Sequence, residues 1–279
     1  MNRTSIEWVK NPDGSQGYTW NPITGCLNGC SYCYARKLAN GRLKERYLKN
    51  THTAPGGYDI VGMDYNYNNP FYPRLWRKRF DDIRKVPLPW FHRDKDLRKG
   101  IFVCDMSDLF GIGIPDDWTR SILENIKVCS QHRFYLLTKQ PQNLARWSPF
   151  PDNCYVGTTI TSAEYTHGKG IGSAMEQVTA SMIYLSIEPI LGRVTGPVPW
   201  YVKWVIIGGL TCGGADLSSL SSLNRELTPK PYGNRYVLLP KREWVEEIVA
   251  AADKAGVKVF LKDNLKPLFP ERLRQEIPK

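Results

Sequence analysis

Long apolar runs are missing from this chain. No uninterrupted stretch approaches the roughly 18–20 residues that a membrane helix needs, and the opening MNRTSIEWVKNPDG has none of the apolar core of a secretory signal. These absences argue against a helical membrane protein and lead to the expectation of a cytoplasmic one. Histidine is scarce, with four residues in 279, and His92, His132 and His167 show no metal-ligand spacing. Cysteine is also sparse, and seven is an odd number. In a reducing compartment that count does not describe a disulfide framework. No internal repeat or low-complexity tract is present, which removes solenoids and disordered scaffolds. Acidic residues are in deficit, 27 against 38 Lys and Arg, for a net charge of +11.

The charge is localised. Arg36 to Lys49 holds six basic residues and one acidic, and Arg74 to Lys99 holds ten basic and four acidic, so the rest of the chain is balanced. Aromatics are interleaved: Tyr47 in the first segment, Trp76, Phe80, Trp90 and Phe91 in the second, with Phe71 and Tyr72 leading in. Cations for phosphates beside flat rings for bases suit a nucleic acid or nucleotide substrate, with Arg77, Lys78 and Arg79 as its candidate contacts. The opposing reading is a solvated helix face whose aromatics belong to the core.

Short β-branched or aromatic runs recur along the remainder: Tyr18 to Asn21, Ile101 to Asp105, Arg133 to Thr138, Cys154 to Thr159, Met182 to Glu188, Trp204 to Gly209 and Val257 to Lys262. Each reads as a strand buried on both faces. Helical patterns fall at Tyr34 to Tyr47, Asp116 to Ser130, Pro141 to Trp147, Ala174 to Ala180 and Lys241 to Ala255. Alternation of this kind predicts an α/β fold, a complete or partial β/α barrel of about six to seven parallel strands. The whole chain, 1–279, reads as a single domain. A basic, aromatic-rich insertion stands around 50–100, and the Gly-, Ser-, Pro- and Asn-rich stretch 213–234 reads as a flexible loop.

In such folds functional groups gather where strands end and loops begin. Polar or small residues stand there: Asp105, Ser107 and Asp108; Thr138 and Lys139; Thr158, Thr159 and Thr161; Ser186 and Glu188; Gly208 and Gly209; Lys262 and Asp263. Lys139 and Lys262 suit a carboxylate or phosphate. Asp105, Ser107, Asp108, Lys139, Thr158, Ser186, Glu188, Gly208 and Gly209 are the candidate cofactor contacts, and Lys262 with Asp263 the candidate substrate contacts.

The first strand leads into TGCLNGCSYCYA, which holds Cys26, Cys30 and Cys33. Random placement of the cysteines would produce this spacing about 0.004 times per chain. A structural zinc site would need a fourth ligand, and the nearest histidine, His52, lies in a polar stretch without a partner at finger-like spacing. A [4Fe-4S] cluster held by three thiolates keeps one iron open. S-adenosyl-L-methionine can occupy that position through its amino and carboxylate groups, and an electron from the cluster then generates a 5'-deoxyadenosyl radical. The other cysteines, Cys104, Cys129 and Cys154 in particular, read as small buried hydrophobes.

The Cys26, Cys30 and Cys33 spacing resembles that of the radical S-adenosylmethionine superfamily. Tyr32 matches the aromatic whose backbone, the resemblance implies, lies against the adenine. The segments TWNPITGC, CSYCYA, MSDLFG, YLLTKQP, YLSIEPILG and WVIIGG resemble more closely a phage- and prokaryote-associated family of radical-enzyme-like proteins of unestablished function. Where those proteins follow the Gly-Gly pair with Glu this chain has Leu210, and where they carry Lys-Gln it has Lys262-Asp263. The resemblance implies an enzyme with a cluster at the C-terminal mouth of the strands, fed by an external flavodoxin- or ferredoxin-like electron donor. The contrasting expectation is a non-catalytic nucleic-acid-binding protein with a structural cysteine metal site.

Overall fold

The computed structural model describes residues 1–11, 13–55, 67–86, 98–162 and 171–278. Two compact units are distinguished, Met1–Tyr155 with Thr179–Ser181 and Val156–Val178 with Met182–Lys279. The first contains strands β1 (Asn2–Arg3), β2 (Tyr18–Trp20), β3 (Ile23–Thr24), β4 (Arg74–Leu75), β5 (Lys99–Val103) and β6 (His132–Thr138). Its helices are α1 (Tyr34–Asn40), α2 (Lys44–Leu48) and α3 (Asp116–Val128). The main strands are ordered β1-β2-β5-β6. β2 runs parallel to β5 with Tyr18 opposite Ile101, and β5 parallel to β6 with Lys99 opposite His132; β1 lies antiparallel on β2.

Burial follows from composition. Ile101, Val103, Phe134 and Leu136 are buried with Trp20, whose ring meets Phe134 edge-on at 6.3 Å. In α3 the buried residues Trp118, Ile122 and Ile126 recur every four positions, which turns one stripe inward. The helix expected over Tyr34 to Tyr47 is interrupted: α1 ends at Asn40 and Gly41 caps it before α2 begins at Lys44. Glycine gains nothing from continuing a helix and tolerates the non-helical angles observed there. Pro141 to Trp147 forms two short 3-10 turns rather than an α-helix.

β7 (Cys154–Thr159) starts in the first unit and continues into the second, which also holds β8 (Met182–Ile187), β9 (Val202–Ile207), β10 (Leu210–Cys212), β11 (Thr228–Tyr232), β12 (Arg235–Leu239) and β13 (Lys258–Leu261). Its main strands follow the order β7-β8-β9-β13, with β8, β9 and β13 parallel. The helices are α4 (Ile171–Glu176), displaced toward the N-terminus from the expected Ala174 to Ala180, then α5 (Leu217–Ser221) and α6 (Arg242–Lys254). α6 buries Trp244, Val245, Ile248 and Ala252 and is followed by Gly256 at φ +66°, the left-handed residue that commonly closes a helix. The stretch 213–234 carries more regular structure than its composition suggests. It holds α5 and β11, and β11 pairs with β12 to form a three-stranded sheet with β10.

Candidate active site

The cysteine loop leaves β3 through Gly25, at φ +87°, and turns again at Gly29, at φ +76°. Gly25 also admits a close approach, since a Cβ there would stand 2.3 Å from the Tyr72 carbonyl oxygen. Backbone bonds from Gly25 to Met106 O (2.9 Å) and from Cys26 to Phe71 O (3.0 Å) pin the entry, and Ser107 Oγ donates to Gly25 O at 2.5 Å. The exit is fixed at Cys33, whose sulfur accepts from Arg36 N at 3.4 Å and caps α1. All three cysteines are free thiols and half-buried.

A carboxylate holds the loop from behind. Buried Asp108 accepts from Asn28 Nδ2 at 2.7 Å, from Lys139 N at 2.9 Å and from Phe110 N at 3.1 Å. Asn28 lies between Cys26 and Cys30, so this one side chain couples the thiol loop to the ends of β5 and β6. Lys139 extends its Nζ to 5.3 Å from the centre of the Tyr32 ring. Asp105 accepts from Asn21 Nδ2, Tyr34 Oη donates to its carbonyl at 2.6 Å, and Asn21 Oδ1 accepts from Met106 N at 3.0 Å.

Electrostatics in this region favours neutral acids. Burial pushes the Cys26 thiol up to about 12, with the Asp108 carboxylate adding to the shift. Burial also raises Cys30, against the opposing charge of Lys139. Asp105 and Asp108 stand above the usual carboxylate value for the same reason, even though hydrogen-bond donors work against it. Bringing thiolates together here therefore requires a cation, and a metal group of several positive charges supplies one. The donor set, three thiols on one short loop, is soft and fits an iron-sulfur group. Among the described residues no three His, Cys, Asp or Glu side chains already converge at metal-ligating reach.

In the second unit the expected strand-end residues form their own group. Lys262 Nζ donates to Glu188 Oε1, and the two side chains are 17% and 24% exposed. Gly208 permits this pair, since a Cβ there would stand 2.9 Å from Lys262 Cδ and 3.3 Å from Glu188 Cδ. Ile190 N donates to Gly208 O at 3.0 Å, and Asn264 bridges Gly209 through its side chain, donating to Gly209 O at 2.8 Å. Thr158 and Ser186 are buried on β7 and β8. Asp263 accepts from Gln275 Nε2 and pairs with Lys266, both at 3.1 Å.

The aromatics among the basic residues are mostly core. Tyr47, Phe71 and Tyr72 are buried, and Phe80 packs against Trp20 with centroids 6.2 Å apart. Trp76 donates to Thr24 Oγ1 at 2.8 Å and carries the Arg79 guanidinium 4.0 Å above its ring. Arg79 also donates to Asn21 O at 2.7 Å, so its charge is committed to the fold, whereas Arg77 and Lys78 are exposed. Lys37, Arg42, Lys44, Arg46 and Lys49 are exposed as well. Trp90, Phe91, His92 and His167 lie outside the described residues. A cavity of about 690 Å³ opens beside the cysteine loop, lined by Cys26, Leu27, Arg36, Asn40, Asn68, Asn69, Pro70 and Phe71. Apart from Cys26, none of these stood out from the sequence as a cofactor or metal residue, nor did Asn21 or Asn28. An asparagine two positions beyond a cysteine, between two glycines, was the available signal for Asn28.

A family model described as a protein of unknown function, DUF5131, matches residues 3–219. The chain belongs to that family. No curated protein matches it. Among solved structures it is similar to a tyrosine-to-phenylalanine variant of spore photoproduct lyase, at 12% identity and a TM-score of 0.52, covering 86% of this chain and 74% of that one. It is also similar to a doubly substituted spore photoproduct lyase with bound AdoMet and dinucleoside spore photoproduct, at 13% identity and a TM-score of 0.51, covering 96% and 77%. At such identities the likeness is one of fold, an α/β arrangement of mostly parallel strands of the partial-barrel kind, as the strand and helix alternation implied.

Proposed function

We propose that this chain is a radical S-adenosylmethionine enzyme in which Cys26, Cys30 and Cys33 hold a [4Fe-4S] cluster. The observation that carries the reading is the anchoring of a three-thiol loop, through Gly25, Asn28 and Asp108, to the ends of parallel strands. When bound, the cluster would supply one-electron reduction of S-adenosylmethionine, the sulfonium carbon–sulfur bond breaking to methionine and a 5'-deoxyadenosyl radical. The protein's part is to bind and orient. Asp108 fixes the register of the loop, Lys139 and Tyr32 stand together beside Cys30, and Asp105 is held by Asn21. Together with Ser107 these are the proposed cosubstrate contacts of the first unit, and Thr158, Ser186, Glu188, Gly208 and Gly209 are those proposed for the second. Deprotonation of the thiols accompanies metal binding, which makes loading weaker in acid. A flavodoxin- or ferredoxin-like protein is the proposed electron donor.

The proposed substrate is a nucleic acid. The exposed cations Arg77, Lys78, Lys37, Arg42, Lys44, Arg46 and Lys49 support this reading, as does the dinucleoside bound by a protein of similar fold. Lys262 and Asp263 are proposed to face the substrate. The test is anaerobic purification with analysis of iron, sulfide and zinc. Cys30→Ala is expected to lose most of the iron and sulfide, and Cys104→Ala, at a buried position, to retain it. A colourless protein holding zinc in place of iron would overturn the assignment.

A further inference from the structure

The cavity beside Cys26 has a composition that the proposed chemistry does not use. Among the described residues its lining contains no carboxylate and one formal charge, Arg36, and three carboxamides, Asn40, Asn68 and Asn69, belong to it. Arg36 comes from α1 and its guanidinium carbon lies 5.6 Å from the centre of the buried Phe71 ring. A guanidinium held over an aromatic is a planar stacking surface with donors left at its edge. Asn40 uses its Nδ2 on Arg36 O at 2.8 Å, and Asn69 uses its Oδ1 to accept from Phe71 N at 2.9 Å. Among the described residues this leaves an acceptor on the first and a donor on the second, with exposed Asn68 able to offer both. Paired donors and acceptors on asparagine are the chemistry that reads a base edge. A volume of about 690 Å³ is within the range of pockets for ligands of nucleotide size.

We infer that this cavity seats one nucleotide of a single-stranded or unpaired nucleic acid, with the base stacked on Arg36 and read by Asn40, Asn68 and Asn69. The inference rests on the nucleic-acid reading of the substrate and names the part of the strand that is held. The exposed lysines and arginines of α1 and α2 would carry the neighbouring phosphates.

The test compares fluorescence-anisotropy titrations of the full-length protein with a short thymidylate strand and with an abasic strand carrying the same number of phosphates. Iron content is measured on the same samples. Wild type is expected to bind the base-bearing strand about tenfold more tightly, the range expected for one stacked base. Asn68→Ala and Arg36→Gln should each remove most of that preference, and Asn68→Ala, at an exposed position, should keep the fold and the iron content. Equal affinity of the wild type for the two strands overturns the inference, as does a preference that survives both substitutions. A wild type that holds iron but shows no base preference refutes the pocket alone. Absence of iron with the preference intact refutes the cluster and leaves the pocket standing.

Discussion

Asp108 shows how a single residue organises the thiol loop. It is buried, 5% exposed, and three donors from three segments converge on its two oxygens. Asp108→Asn keeps the shape but turns an amide N–H₂ toward donors, so it is expected to cost about 1–3 kcal/mol of stability. Chemical denaturation measures the cost, and an unchanged midpoint would show that the network does not hold the loop. His132 provides a separate pH-dependent prediction. It is fully buried at the start of β6, and burial lowers its pKa to about 4. A group depressed in the fold takes up its proton first in the unfolded chain, so stability is present above about 6.5 and is lost as pH falls toward about 4. Asp105 and Asp108, raised by burial, act in the opposite sense, because burial penalises their charged form. The comparison must therefore be between variants: His132→Leu should lose less stability than wild type between neutral pH and about pH 5, by up to about 2 kcal/mol. Equal losses would contradict the assignment. At this scale the sequence revealed the cysteines, because their spacing is improbable, and the buried role of Cys104, Cys129 and Cys154. It did not reveal that Arg79 sits on Trp76, because a basic run reads alike whether a member is solvated or stacked.

Elements were legible in proportion to their periodicity. The seven apolar runs correspond to β2, β5, β6, β7, β8, β9 and β13, since double-sided burial leaves an unbroken hydrophobic signature. Helices with a clear stripe, α3 and α6, were also legible. α1 and α2 were merged because the amphipathic pattern runs across Gly41, and the small β10-β12-β11 sheet was missed because β11, Thr228–Tyr232, is mostly exposed and carries two prolines. The loop that follows β3 gives the prediction at this scale. Gly25 and Gly29 share a left-handed backbone, but only at Gly25 would a Cβ meet the chain, at 2.3 Å from Tyr72 O, while nothing lies within 4 Å at Gly29. Gly25→Ala is expected to cost about 1–3 kcal/mol through strain plus the displacement of Tyr72, and to reduce iron content. Gly29→Ala should cost only the backbone term, about 1 kcal/mol. Equal effects in melting and iron analysis would show that the close approach is not what fixes the loop.

For the whole molecule the informative quantity is charge. The +11 is concentrated in two segments, and on the described surface Arg77 and Lys78 are exposed while Arg79 is not free to bind. Binding to nucleic acid should weaken with salt at a log-log slope of about −0.7 to −0.9 per phosphate neutralised. Arg77→Glu with Lys78→Glu should flatten that slope without changing iron content, whereas Arg79→Glu should destabilise the fold. A wild-type affinity independent of salt would remove nucleic acid as the substrate. The fold agrees with the α/β reading of the sequence. The central claim is that three cysteines hold a cluster with one iron open to S-adenosylmethionine. The most direct measurement is electron paramagnetic resonance of the anaerobically reduced protein with and without that cosubstrate. A cluster signal whose spectrum changes on addition of S-adenosylmethionine is the expected result, and a reduced cluster whose spectrum stays the same at saturating cosubstrate would contradict it.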